Sequence, residues 1–163
     1  MCSSDLQTSE LGISLIKEFE SCKLTAYPDV VGVWTIGFGT TRIKGVPVTQ
    51  GLTCTQEDAE QYLHDDLQVF EQTINSILPA PIAQYQFDAC VCLTYNIGSA
   101  GFLGSTICRK LKAGNSALVS ETNFTAWNKV RDSQGALVES RGLTRRRKAE
   151  YYLFTTGTIK TQF

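Results

Sequence analysis

The stretch that decides the fold runs from Phe19 to Gly39 and reads FESCKLTAYPDVVGVWTIGFG. Apolar residues recur at helical spacing up to its start and alternate with other residues in its second half, which predicts a helix followed by a β-hairpin. We therefore expect Glu20 at the helix end, Asp29 in a turn and Thr35 on a strand. The short connection between these elements brings the three side chains together.

Two carboxyl groups and a hydroxyl can together cleave a glycosidic bond. One carboxylic acid protonates the leaving oxygen, and one carboxylate acts on the other side of the sugar ring. On a helical wheel Glu20 projects between Ile13 and Ile16, inside the apolar arc, whereas Glu18 falls outside it. Apolar surroundings penalise an ionised carboxyl, as a general acid requires. Glu20 is therefore the candidate acid.

Each of the three residues also has a purely structural interpretation. Glu20 can be a solvated glutamate that closes a helix, and Thr35 can be an ordinary strand residue. Asp29, which follows Pro28, can be a turn residue whose carboxylate binds the local backbone. The residue pattern leaves both interpretations open.

The composition is that of a globular protein. The chain has 163 residues, 42% of them hydrophobic, which suits a single domain with a sizeable core. A formal net charge of -1 gives no reason to propose nucleic-acid binding. The first residues contain no apolar run, so we expect cytoplasmic synthesis and no stable membrane insertion.

The sequence predicts neither a metal site nor an organic cofactor. It contains no Cys/His cluster, phosphate-binding glycine loop or HExxH motif, and acid/base hydrolysis needs no cofactor. We expect the six cysteines to be reduced and mainly buried.

The rest of the chain predicts mostly helices. A long helix is expected to begin after Thr55, a plausible N-cap, and to stop at Pro79. Further helices are predicted over 84–97, 102–111, 121–130 and 144–157, with a polar loop at 132–135. Ser105 or Thr106 is available as an N-cap within 102–111. The basic run 145–148 fits either a solvated helix face or an anion-binding patch.

Four motifs together resemble one known family. They are the Glu-x8-Asp-x5-Thr spacing of the three candidate residues, the stretch 26–39, the sequence YNIG at 95–98 and the sequence GLTRRR at 142–147. The chain resembles the phage-type lysozymes, the endolysins of glycoside hydrolase family 24, from about residue 11 to residue 157. The resemblance implies an α+β, mainly helical fold in which a long helix joins a small β-hairpin lobe and a larger helical lobe. It implies a single lysozyme-like catalytic domain over 1–163, with an N-terminal tail at 1–10, a β lobe at about 24–50 and a helical lobe at about 80–157.

The resemblance also implies an activity. Such enzymes are muramidases that hydrolyse the β-1,4 bond between N-acetylmuramic acid and N-acetylglucosamine in bacterial peptidoglycan and so lyse the host cell. In them the residue matching Glu20 protonates the glycosidic oxygen, and the residue matching Asp29 assists on the opposite face of the sugar. The residue matching Thr35 helps to hold the attacking water, an arrangement associated with inversion.

The same resemblance implies substrate-binding residues. Tyr95 and Asn96 match positions that face the substrate, although core packing competes as the explanation for Tyr95. Arg145 or Arg146 is a candidate to contact carboxylate groups of the glycan strand, and Arg146 is the one we predict. Thr40 and Thr41 stand where some relatives carry a histidine that forms a buried ion pair, so that pair is expected to be absent.

The resemblance further implies a monomer that is made in the host cytoplasm. A separate holin then opens the membrane, and the enzyme acts in the periplasm and on the cell wall. Two alternatives remain at this stage: a lytic transglycosylase, which needs no positioned water, and a glycan-binding module without turnover. The presence of Asp29 and Thr35 argues against the first of these.

Overall fold

The computed structural model describes residues 5–163, and the chain divides into two compact units. One unit contains residues 16–69, and the other contains residues 70–163 together with the chain up to residue 15. The helices of the described residues are α1 (Glu10–Phe19), α2 (Gln56–Ile77), α3 (Gln84–Ile97), α4 (Ser99–Leu103), α5 (Thr106–Lys112), α6 (Glu121–Thr125) and α7 (Arg141–Thr156). The strands are β1 (Lys23–Pro28), β2 (Trp34–Gly37), β3 (Arg42–Ile43), β4 (Val46–Pro47), β5 (Lys129–Arg131) and β6 (Leu137–Glu139).

The unit of residues 16–69 is built around the predicted hairpin. Strand β1 pairs antiparallel with β2, and Tyr27 lies opposite Thr35. The apolar core beneath the hairpin contains Ala26, Ile36 and Val48, against which Trp34, Ile43, Leu52, Cys54 and Tyr62 pack. Burial of these side chains supplies most of the free energy that holds so short a sheet together.

A glycine allows the end of β2 to approach α2 closely. Gly37 has φ +65°, and a Cβ atom built on it would lie 3.2 Å from the Cβ of Ala59. Only glycine adopts this conformation readily and leaves room for the helix. The strand that carries Thr35 is therefore packed directly against α2.

Helix α2 begins and ends where the sequence predicts. The Thr55 hydroxyl accepts a hydrogen bond from the Asp58 backbone N–H at 3.0 Å, and the Asp58 carboxylate accepts one from the Thr55 N–H at 2.9 Å. This reciprocal arrangement satisfies two backbone donors of the helix end. The helix stops at Ile77, just before Pro79.

The other unit is organised by α3, whose central residues are buried and pack against α7. Of the predicted tail 1–10, residues 1–4 lie outside the described residues. The residues that follow are anchored to this unit. Thr8 donates from its hydroxyl to Glu71 at 2.8 Å, and the Ser9 N–H donates to the buried Asp88 at 2.9 Å.

Three predictions for this unit are wrong in detail. The helix predicted over 102–111 is two helices, α4 and α5, because Ser105 caps α5 by accepting from the Cys108 N–H at 3.1 Å. The helix predicted over 121–130 ends at Thr125, and residues 129–131 form β5 instead. The last helix begins at Arg141, not at residue 144, because Ser140 caps it. Its end at Gly157, which has φ +72°, confirms the prediction.

The polar loop predicted at 132–135 is the turn of a hairpin. Strands β5 and β6 pair antiparallel, with Val130 opposite Val138. The Asp132 carboxylate accepts hydrogen bonds from the N–H groups of Gln134 and Ala136, each at 2.9 Å, which fixes the turn.

Cysteine burial follows the prediction in part. In the described part of the chain the five cysteines are unpaired thiols; Cys90, Cys92 and Cys108 are buried, whereas Cys22 and Cys54 are half-buried. Burial raises the pKa of the Cys90 thiol, so this group is an unreactive core side chain. The sixth cysteine, Cys2, lies outside the described residues.

Between residues 5 and 163, no helix is both long enough and apolar enough to cross a membrane.

Candidate active site

Glu20 lies directly after α1, as predicted. Its backbone N–H donates to the carbonyl of Ile16 at 2.9 Å and so continues the helical hydrogen bonding for one residue. The residue is half-buried, and β1 begins three positions later at Lys23. The helix end thus holds the carboxyl beside the first strand of the hairpin.

Asp29 closes the hairpin turn with one of its two carboxylate oxygens. Oδ1 accepts hydrogen bonds from the N–H groups of Val31 at 2.9 Å and Val33 at 2.8 Å. Oδ2 accepts no hydrogen bond from residues 5–163. The structural interpretation of Asp29 is therefore correct, and it leaves the second oxygen available for chemistry.

Thr35 is buried on β2 with its hydroxyl oriented by the backbone. The side chain is 4% exposed, and Oγ1 donates to the carbonyl of Val33 at 3.0 Å. A hydroxyl carries a single proton and two lone pairs, so Oγ1 can only accept from a further partner. Asp29 and Thr35 are thus both hydrogen-bonded to Val33, one to its N–H and the other to its carbonyl.

Tyr27 connects Glu20 to the other two residues. Burial, followed by the charges of Glu20 and Asp29, raises the pKa of the Tyr27 phenol, so both carboxyl groups lie near this ring. Tyr27 also lies opposite Thr35 in the sheet. Tyr27 is therefore linked to all three candidate residues: the charges of Glu20 and Asp29 act on its phenol, and Thr35 pairs with it across the sheet.

Sequence reasoning did not single out Tyr27. Its position two residues before Asp29, on the strand that must pair with Thr35, was a signal that could have identified it. Lys23 covers its ring with the ammonium group 4.4 Å from the ring centroid, a cation–π contact that restrains both side chains.

The predicted substrate-binding residues Tyr95 and Asn96 occupy different environments. Tyr95 is half-buried, and its ring packs edge-on against Phe70 with the ring centroids 5.8 Å apart. Asn96 is exposed and lines a groove with Trp127. Tyr95 therefore contributes to packing, and Asn96 is accessible to a ligand.

Arg146 lies in the core of its unit, where its guanidinium binds protein groups. It is 4% exposed, and its Nε donates to Glu150 Oε1 at 3.1 Å while Nη2 donates to the carbonyl of Cys92 at 3.1 Å. Its neighbour Arg147 is 0% exposed. The interpretation of 145–148 as a solvated face is wrong for these two residues, because α3 covers them. The substrate-binding role of Arg146 stays a prediction that none of these contacts supports.

Among residues 5–163, no group of three or more His, Cys, Asp or Glu side chains is arranged to hold a metal ion. The chemistry of Glu20, Asp29 and Thr35 is that of an acid and of hydrogen-bond acceptors. Such groups can protonate a leaving oxygen and orient a water molecule.

The sequence and the structure are similar to those of known lysozymes and endolysins. A family model described as phage lysozyme matches residues 17–150. The endolysin of Bacillus phage PZA is 38% identical over 95% of the chain, which spans only 57% of that relative. The structure of the endolysin from Escherichia coli O157:H7 phage FAHEc1 is similar with a TM-score of 0.86 and 39% identity, covering 95% of this chain and 97% of that one. The muramidase domain of SpmX from Asticaccaulis excentricus gives a TM-score of 0.82 at 31% identity, covering 92% and 98%. These similarities confirm the predicted lysozyme-like, mainly helical α+β fold.

Proposed function

We propose that this chain, which belongs to the phage lysozyme family of glycoside hydrolases, is an endolysin muramidase. Its proposed substrate is the β-1,4 bond between N-acetylmuramic acid and N-acetylglucosamine in bacterial peptidoglycan. The observation that carries the proposal is a pair of acceptors in the unit that also contains Glu20. Asp29 is held through Oδ1 by the Val33 N–H, which leaves Oδ2 as an acceptor, and Thr35 Oγ1 is oriented by donating to the Val33 carbonyl. The similarity to a domain described as a muramidase supports the choice of bond.

Glu20 is the proposed general acid. Its carboxyl donates a proton to the glycosidic oxygen as the bond to the anomeric carbon breaks, so the leaving sugar departs as an alcohol. The proton lost by Glu20 is restored from solvent after the products leave.

Asp29 and Thr35 are the proposed binding site for the attacking water. Asp29 Oδ2 and Thr35 Oγ1 can each accept one of its protons, and the water oxygen then presents a lone pair to the anomeric carbon. Asp29 takes up a proton from the water as the new bond forms and releases it to solvent after the products leave. A single displacement of this kind inverts the anomeric configuration and requires the two carboxyl groups to lie about 6.5–9.5 Å apart.

The remaining roles are proposed on family membership together with exposure. Asn96 is the proposed hydrogen-bonding residue for the glycan, and Tyr95 is proposed to contact the sugar with the part of its ring that is not packed. Because Arg146 is 4% exposed, we propose that it supports this region from within the core.

We propose that the protein acts as a monomeric single domain on the wall of the host cell. It would be made in the cytoplasm and reach the wall through a membrane hole formed by a separate holin. An enzyme made in the cytoplasm needs a route across the inner membrane, because its proposed substrate lies outside that membrane.

Analysis of the reaction products tests the proposal. Purified Gram-negative peptidoglycan is digested, and the soluble fragments are examined by mass spectrometry and by NMR of the new reducing end. We expect hydrated, reducing N-acetylmuramic acid ends that first appear as the α-anomer. Products with 1,6-anhydro ends, lighter by one water, would instead establish a transglycosylase and remove the proposed roles of Asp29 and Thr35. Binding without release would leave a glycan-binding protein.

A further inference from the structure

A buried guanidinium lies beneath the exposed end of α3. Arg147, on α7, donates through Nη2 to Asn96 Oδ1 at 2.9 Å and to Glu150 Oε1 at 3.0 Å. Its Nη1 donates to the backbone carbonyl of Trp127 at 3.5 Å. Its Nε lies 2.8 Å from Glu150 Oε2. The two atoms form an ion pair but no hydrogen bond, because the Nε–H bond does not point at the oxygen. One fully buried side chain thus contacts both Asn96 and Trp127.

The cluster around Arg147 is not explained by stability alone. Arg146 and Arg147 share one buried carboxylate, Glu150, which is 0% exposed. Desolvation of buried charges commonly offsets the attraction between them, so a buried ion pair is weak evidence for a stabilising role. A reason for an arginine at this position therefore has to be sought in the groups that it holds.

Arg147 fixes the orientation of the Asn96 amide. A guanidinium only donates hydrogen bonds, so the atom of Asn96 that faces it is the carbonyl oxygen and not the NH2 group. The NH2 group therefore points away from the buried guanidinium. Asn96 is exposed, and without such an anchor its side chain would sample several rotamers.

Two of the residues that Arg147 contacts, Asn96 and Trp127, line the same groove. This groove has a volume of about 760 Å³ and is lined by Asn96, Trp127, Lys129, Val130, Leu137 and Leu143. Its size suits a small ligand or one or two sugar units, and most of its lining is apolar. The hairpin of β5 and β6, which the sequence did not predict, forms part of its wall.

We propose that this groove binds ligand and that Arg147 is its positioning residue. By holding the side-chain oxygen of Asn96, Arg147 directs the two N–H donors of the Asn96 amide into the groove. The Asn96 side chain then offers no hydrogen-bond acceptor to a ligand there. The groove then selects a ligand with an apolar face and a hydrogen-bond acceptor, the combination that an amino sugar of a glycan strand presents. This identification of the ligand rests on the proposed function.

Binding measurements separate this inference from the catalytic proposal. The ligand is a preparation of soluble, uncross-linked glycan strands from peptidoglycan, titrated by calorimetry into Glu20→Gln protein so that turnover does not interfere. Adding Asn96→Asp removes the donors but keeps an acceptor for Arg147. We expect Kd to rise about fivefold, the loss of roughly one hydrogen bond, while the unfolding temperature stays the same or increases. Asn115→Asp, the same change at an exposed loop position outside the groove, should leave Kd unchanged.

A double-mutant cycle tests the positioning role. Arg147→Lys keeps a charge for Glu150 but loses the forked contact to Asn96, so Kd should rise in the Asn96 background. It should have almost no further effect on Kd when Asn96 is already alanine, because residues that act through one contact are not additive. In the active protein the same changes should raise KM with kcat nearly constant.

Two results would overturn the inference. One is an Asn96→Asp variant that binds the strands as tightly as the Glu20→Gln protein from which it is made. This test is independent of whether the Arg147→Lys variant folds. The other is an effect of Arg147→Lys that is equally large with and without Asn96, which indicates a purely structural role. Failure of the wild-type protein to cleave peptidoglycan would refute the proposed activity but not these affinity differences.

Discussion

At the scale of single residues, Val33 links the two side chains proposed to hold water. Its N–H donates to Asp29 and its carbonyl accepts from Thr35, so each side chain presents an acceptor in a fixed direction. The hydroxyl of Thr35 is therefore expected to matter for the rate more than for stability.

Thr35→Val should lower kcat on soluble glycan strands about 100-fold, because the water loses one of its two orienting acceptors. Thr35→Ser, which keeps Oγ, is the matched control and should retain most of the activity. Steady-state kinetics together with thermal unfolding distinguish this effect from misfolding. Equal activity of the valine and serine variants would exclude the hydroxyl from the reaction.

Part of the candidate site can be predicted from spacing alone. Glu20, Asp29 and Thr35 are assigned to a helix end, a turn and a strand, and the structure confirms all three positions. The direction of the Thr35 hydroxyl cannot be predicted, because it depends on the carbonyl of Val33. The burial of Arg146 and Arg147 cannot be predicted, because it depends on where α3 packs. The spacing of Glu150, four residues after Arg146 and three after Arg147, does indicate ion pairs on one helix face.

At the scale of secondary-structure elements, a hydrogen bond joins the segment after β2 to α2. The Thr40 hydroxyl, 1% exposed, donates to Asp66 Oδ2 at 2.6 Å. Burial raises the pKa of the Asp66 carboxyl, and the hydrogen bond from Thr40 only partly opposes this effect. The folded protein therefore holds this proton more tightly than the unfolded chain does.

Asp66→Asn should stabilise the protein at neutral pH. The stability contributed by a group with a raised folded-state pKa is fully present below its unfolded value of about 3.9 and is lost as the pH rises through the folded value. Asparagine cannot ionise and still accepts from Thr40, so the variant avoids this loss. Thermal unfolding at pH 7 should show a higher midpoint than wild type, with a smaller difference at pH 4. A variant less stable than wild type at pH 7 would contradict this account of Asp66.

The elements that the sequence predicts correctly have local signals at both ends. Helix α2 lies between the Thr55 cap and Pro79, and α3 matches the predicted range 84–97. The hairpin of β5 and β6 was missed because Phe124, Trp127 and Val130 mimic helical spacing. Its strands are exposed and short, so no alternating buried pattern marks them.

At the scale of the whole molecule, the proposal of a single domain requires that the two compact units unfold together. The two tryptophans of the chain report on them separately, because Trp34 lies in the unit of residues 16–69 and Trp127 lies in the other. Each of the variants Trp34→Phe and Trp127→Phe retains one tryptophan, so its fluorescence follows one unit during unfolding in urea. For each variant, the midpoint of the fluorescence change should equal the midpoint of the loss of helical circular dichroism. A fluorescence transition separate from that loss would indicate two independent domains.

The central claim is that Glu20 protonates the glycosidic oxygen, and the rate of fragment release by Glu20→Gln from purified peptidoglycan tests it most directly. Glu18→Gln, the same change at an exposed position on α1, is the matched control. We predict that Glu20→Gln folds with an unchanged unfolding midpoint and loses about 10³-fold or more in rate, while Glu18→Gln retains wild-type activity. A folded Glu20→Gln protein that releases fragments at the wild-type rate would contradict the claim.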